Sequence, residues 1–139
     1  MDLRPLSDTH AVAPMIEPAD MAALAADGYT AVICNRPDAE VPPSHQAAAM
    51  QDAAEAAGMA FTYNPITMPG LTLQAVEEQA DALDGKTLAY CASGTRSAIL
   101  WALAQAGKMP ADAILAATAQ AGYQLDNLRP QIEQLESQT

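Results

Sequence analysis

Cysteine, basic residues and aromatic carbon are all scarce in this sequence, and each scarcity excludes something. Two cysteines, Cys34 and Cys91, cannot make a disulfide framework, so the expected compartment is a reducing cytoplasm. Six Lys and Arg stand against 17 Asp and Glu, a net charge of −11. A polyanion of that size is repelled by nucleic acid and by anionic lipid surfaces, so neither is an expected partner. The same field discourages anionic substrates unless a local positive site overrides it. No apolar segment approaches the roughly 18 residues of a membrane helix, and no basic stretch leads into an apolar run, so neither a span nor a signal peptide is expected. The two histidines, His10 and His45, lack partners at metal-ligand spacing, and no motif implies a metal or a cofactor. With one Phe, one Trp and four Tyr, the apolar half of the chain is mostly Ala, Leu and Met, which favours helices packed closely on a thin sheet.

What is present is an alternation of short apolar runs and helix-forming segments. Residues 3–16, punctuated by Pro5 and Pro14, fit one or two edge strands. Pro18 opens a helix over residues 19–26, stopped by Gly28, and residues 29–34 form a buried strand ended by a turn at 35–38. Ser44 caps a helix to about Ala57; residues 59–63 are the next strand; Thr72 caps a helix over 73–83. Residues 87–91 make a further strand, followed by helices over about 97–106, 110–121 and 125–135, with Leu128, Ile132 and Leu135 on one stripe of the last. This order predicts a single α/β domain over residues 1–139, with a mainly parallel central sheet of about five short strands flanked by helices. Ligands bind such sheets beyond the carboxyl ends of the strands, where Cys34 and Cys91 both stand.

The chemistry concentrates in Cys91-Ala92-Ser93-Gly94-Thr95-Arg96-Ser97, between a strand and a helix. Successive N–H groups of a tight strand-to-helix loop form a nest for an anion, and the helix adds its positive end. Gly94 permits the positive φ such a curl needs. Arg96 offers a bidentate fork to oxyanion oxygens. Cys91 lies in the same field, which favours its thiolate, and the Ser97 hydroxyl is placed to hydrogen-bond the sulfur. Singly, a strand-end Cys is a small hydrophobe and a Gly turn is only a turn; in this combination they specify an activated nucleophile.

Cys-x-x-Gly-x-Arg-Ser followed by Ile99-Leu100-Trp101-Ala102-Leu103-Ala104 resembles the bacterial beta-lactamase hydrolase-like protein phosphatase-like domain, once a domain of unknown function. Residues 28–38 resemble the same family's strand and turn, and Ala121-Gly122-Tyr123-Gln124-Leu125 its C-terminal helix junction. The resemblance covers residues 3–128 and implies a dual-specificity-phosphatase-like fold. It also implies Cys91 as nucleophile, Arg96 as oxyanion clamp and the backbone of Ala92, Ser93, Gly94, Thr95 and Arg96 as the phosphate cradle.

Two features depart from the phosphatase pattern. Four residues separate Cys91 from Arg96, one fewer than usual there and the length found in single-domain rhodaneses, which carry sulfur as a Cys persulfide. Residues 64–70, where dual-specificity phosphatases carry an Asp general acid, contain no carboxylate; Asp38 or Glu40 on the same rim could substitute. Tyr90 also replaces the His that often precedes the phosphatase Cys. Three readings stay open: a phosphatase-like hydrolase of phosphate monoesters working through a phosphocysteine, a rhodanese-type sulfurtransferase taking a sulfane-sulfur donor, and a non-catalytic anion-binding module. The expected substrate is a small anion. If the Cys34 and Cys91 strands are parallel neighbours, their Cα atoms lie about 5 Å apart, and Cys34 becomes a candidate resolving thiol. Arg36 either adds positive potential to the rim or pairs with Asp38 or Glu40.

Overall fold

The structure, a computed structural model, describes residues 1–138. Five strands form one sheet in the order β1-β2-β5-β3-β4. They are β1 (Arg4–Ser7), β2 (His10–Ala13), β3 (Ala31–Cys34), β4 (Ala60–Tyr63) and β5 (Thr87–Tyr90). β1 is antiparallel to β2 and every other pairing is parallel, so β5 is central, with β2 on one side and β3 on the other. The expected sheet is therefore present, with one change: β2 is an interior strand, all four of its residues buried, and only β1 lies at that edge.

Six α-helices cover the sheet: α1 (Met21–Ala26), α2 (Ala47–Ala56), α3 (Leu73–Asp81), α4 (Thr95–Ala104), α5 (Ala111–Gln120) and α6 (Arg129–Ser137). Strand alternation divides the core in two. Ala11, Ala13, Val32, Cys34, Leu88 and Tyr90 face one side, against Met21, Leu24, Met50 and Ala54 of α1 and α2. Val12, Ile33 and Ala89 face the other, against α4, which is buried nearly all round, with α3, α5 and α6 beyond it. The high Ala content permits that close stacking, and Trp101 at 2% exposure fills the space between α4 and β2. Leu128 and Ile132 are buried and Leu135 partly so, as the stripe predicts, although α6 starts only at Arg129, after a 3-10 turn over Asp126–Leu128.

Thr72 caps α3 by accepting the Ala75 N–H at 3.1 Å. Ser44 does not cap α2. It lies in a 3-10 turn, its hydroxyl on His45 Nδ1, and the first N–H of α2, that of Ala47, is taken by Asp38 Oδ1 at 2.7 Å. Among the described residues no helix is long and apolar enough to cross a membrane.

Candidate active site

The carboxyl ends of β2, β5 and β3 converge on the loop after β5. The chain leaves β5 at Tyr90, turns through residues 91–94 and enters α4 at Thr95. The exit of β2 braces it: the Cys91 N–H donates to Ala13 O and the Met15 N–H to Ala92 O, both at 3.3 Å. Gly94 has φ +92°, and a Cβ there would stand 2.0 Å from the Tyr123 hydroxyl and 3.3 Å from the Ala13 backbone. Glycine is therefore required twice, by conformation and by space. The Gly94 N–H points back and donates to Cys91 Sγ at 3.1 Å. Cys91 has 0% exposure, so water cannot solvate its sulfur, and a thiolate there must be held by groups of the protein. On the exposed lip, Ser93 Oγ accepts the Thr95 N–H at 3.3 Å and donates to Thr95 Oγ1 at 3.0 Å. The following N–H groups of the first turn of α4 have no intrahelical partner, which leaves a positive end for an anion.

Arg96, in that first turn, is gripped from the far side. Its two terminal nitrogens donate to Glu40 at 2.9 and 2.8 Å, and one also donates to Ile66 O at 3.0 Å. Arg36 donates to the same carboxylate at 3.2 Å and to the Glu40 carbonyl at 3.4 Å, so its charge is paired with Glu40. The Glu40 hydrogen bonds hold the Arg96 guanidinium protonated against partial burial, and the nearby Cys91 sulfur adds to this. In return Arg96 first, then Arg36, hold the Glu40 carboxyl below its usual range. Both Glu40 carboxylate oxygens are thus engaged by guanidiniums, Oε1 by Arg36 and Arg96 and Oε2 by Arg96. Asp38 has one carboxylate oxygen committed to α2 through the Ala47 N–H, while its own N–H donates to the Tyr63 hydroxyl at 2.8 Å.

Ser97 corrects the sequence reading. Its hydroxyl donates to Asn35 Oδ1 at 2.8 Å, not to the sulfur, because α4 turns it toward β3. It joins a buried polar network. Asn35 Nδ2 donates to Asn64 O at 2.9 Å and Gln79 Oε1 at 2.8 Å; Asn64 Nδ2 donates to Gln79 Oε1 at 2.9 Å and Ala75 O at 3.0 Å; Gln79 Nε2 donates to Asn35 Oδ1 at 3.1 Å. Ser97, Asn35 and Gln79 have no exposed surface, and Asn64 has 3%. This network ties the ends of β3 and β4 to α3 and α4. Asn35 belongs by sequence to the turn that ends its strand, and Asn64 follows the next strand in the same way. The missed signal is an Asn immediately after each of two parallel strands, with a Gln on the apolar face of α3.

The Cys34 and Cys91 strands are parallel neighbours, but the register sets Cys34 against Tyr90. Cys34 and Tyr90 share the α1 and α2 side of the sheet. The Cys34 thiol donates to Arg36 O at 3.3 Å, and burial raises its pKa. Tyr123, from the turn between α5 and α6, is a site residue to which the sequence reading assigned no role: its hydroxyl donates to Ser93 O at 3.0 Å. Among the described residues no three His, Cys, Asp or Glu side chains are grouped to hold a metal ion.

The family model of the beta-lactamase hydrolase-like protein, phosphatase-like domain matches residues 2–108. The chain belongs to this family. A beta-lactamase hydrolase-like protein of Agrobacterium fabrum is 35% identical over 96 residues, covering 67% of this chain and 22% of that protein. The chain spans only 22% to 27% of the length of the curated relatives it matches. A crystal structure of a candidate phosphatase from Neisseria meningitidis Z2491 superposes with a TM-score of 0.79 at 30% identity, covering 97% of this chain and 99% of that one. Tk-PTP in its active form gives 0.77 at 17% identity, covering 99% and 98%, a likeness of fold. This member of the phosphatase-like domain family thus shares the α/β fold of Tk-PTP, with its Cys-x-x-Gly-x-Arg segment running from the end of β5 into the first turn of α4.

Proposed function

We propose that this domain is a phosphatase-like hydrolase that uses Cys91 as nucleophile on small phosphate monoesters. The observation that carries the reading is the Gly94 N–H aimed at Cys91 Sγ at 3.1 Å, beside an Arg96 fork held in place by Glu40. The sulfur attacks phosphorus, an S–P bond forms and the P–O bond to the leaving group breaks. Water then attacks phosphorus, the S–P bond breaks, phosphate departs and the thiolate returns. Nest N–H groups and Arg96 take up the charge on the equatorial oxygens in both steps. Glu40 is committed to Arg96 and Asp38 to α2, so leaving groups that depart without a proton are favoured, aryl phosphates ahead of alkyl esters.

The four-residue spacing and the commitment of both rim carboxylates favour a second reading, sulfur transfer. There the Cys91 thiolate attacks the outer sulfur of thiosulfate, an S–S bond forms, and sulfite leaves with its electron pair. An acceptor thiolate then takes the sulfur, and no general acid is required. A paired assay separates the readings. Turnover of 4-nitrophenyl phosphate that is lost in Cys91→Ser supports hydrolysis. Cyanide-labile sulfur on Cys91 with thiosulfate, and no phosphate release, replaces it with sulfur transfer. Inertness in both assays with sulfate still bound leaves an anion-binding module.

A further inference from the structure

The carbonyl of Ser93 and the N–H of Gly94 belong to one peptide unit, and in a trans peptide they point in opposite directions. The oxygen end accepts the Tyr123 hydroxyl at 3.0 Å, and the N–H end donates to Cys91 Sγ at 3.1 Å. We infer that Tyr123 is a positioning residue for the nucleophile, acting on the sulfur through this peptide; the inference rests on Cys91 being the reactive thiol. Two effects follow. The first is orientational. Gly94 imposes little barrier of its own, and rotation of this peptide would turn the Ser93 oxygen toward the sulfur, replacing an attractive dipole with a repulsive one. A hydroxyl gripping the oxygen opposes that rotation. The second is electronic. A donor at the carbonyl polarises the whole amide and strengthens its N–H as a donor, by about 10–30% for linked hydrogen bonds.

Tyr123 is itself held as this role requires. Its N–H donates to Thr118 O at 2.8 Å, and Arg4 lies over its ring at 5.1 Å while donating to Ala121 O at 3.3 Å. Burial raises the phenol pKa, so the hydroxyl keeps the proton it donates. The Cβ that Gly94 lacks would stand 2.0 Å from the Tyr123 oxygen, so hydroxyl and glycine occupy complementary space. The clamp is assembled by the edge strand β1 and the junction of α5 and α6, neither of which carries a residue of the loop.

The test is the pH dependence of iodoacetamide alkylation at Cys91, followed by peptide mapping, in wild type and in Tyr123→Phe, which keeps the ring and removes the hydroxyl. The midpoint moves up by about half to one pH unit, the worth of one hydrogen bond divided between two protonation states. Below the midpoint the alkylation rate falls about threefold to tenfold, and it recovers at high pH. A packing role alone would lower or raise rates at every pH with the midpoint unmoved, which overturns the inference. Replacement of Tyr123 by 3-fluorotyrosine strengthens the donor and moves the midpoint down, an opposite sign that poor folding of the Phe variant cannot mimic. If wild-type Cys91 itself titrates like free cysteine, it is the nucleophile reading that falls, an outcome visible before any variant is made.

Discussion

Among the buried groups, His10 offers the most direct quantitative test of the packing. It has 4% exposure, its ring stacks on Trp101 at 6.2 Å, and neither ring nitrogen has a hydrogen-bond partner among the described residues. Burial lowers its pKa from 6.5 to about 4. The folded chain therefore holds His10 neutral while the unfolded chain takes up the proton from pH 6.5 downward. Stability from this group is complete above pH 6.5 and falls by about 1.4 kcal/mol per pH unit as the pH drops, levelling off near pH 4. The whole span amounts to about 3 kcal/mol, of which about 2 kcal/mol lies between pH 7 and pH 5, above the range where the many carboxylates titrate. Urea unfolding at pH 7, 6 and 5, followed by the fluorescence of Trp101, the single tryptophan, measures it. His10→Leu carries a constant offset from the altered side chain but loses the pH-dependent part. The stability of wild type minus that of His10→Leu must therefore fall by about 2 kcal/mol from pH 7 to pH 5, whatever the sign of the constant offset. Parallel pH profiles for the two would refute a neutral His10 in the fold.

Three further outcomes follow from the site. Glu40→Gln removes the charge that orients Arg96. A Cys91-dependent turnover then falls by about 100-fold, while the stability change, typical of a rim ion pair, stays within about 1 kcal/mol; kcat/KM and a thermal melt on the same sample separate the two. Gly94→Ala combines a φ of +92° with a Cβ driven against the Tyr123 hydroxyl. It destabilises the fold by about 1–3 kcal/mol or more by denaturant melt and slows Cys91 alkylation, since the loop must move and carry the Gly94 N–H away from the sulfur. Asn35→Ala leaves the Ser97 hydroxyl and the Gln79 amide short of a partner. It costs about 1–3 kcal/mol in urea unfolding for each group left unsatisfied, a loss that Ser97→Ala in the same background makes smaller.

The strand-loop-helix carrying Cys91, Gly94 and Arg96 was legible because its parts are contiguous. A buried strand, a residue free to take positive φ and a helix start are local properties, and they fix the curl of seven successive residues. The order of elements likewise indicated the parallel sheet, since short apolar runs alternating with helices of about 10 residues have few other ways to bury both faces. Local signals failed where a polar side chain had a choice of distant partners. The Cys91 sulfur lies only six residues from Ser97, yet the hydroxyl donates to Asn35; Ser44 lies just before α2, yet Asp38 takes its first N–H. Glu40 meets Arg96, and Tyr123 meets Ser93, only once the sheet is assembled.

Composition and periodicity act within a few residues along the chain, so the sequence alone indicated which segments are strand or helix and which loop joins the Cys91 strand to its helix. Which group faces the sulfur, which carboxylate holds the arginine and which asparagines lie buried were decided by the tertiary structure. An unpaired buried donor or acceptor is costly, so most find partners, and for these side chains the available partners are those that the strand order β1-β2-β5-β3-β4 brings to one rim.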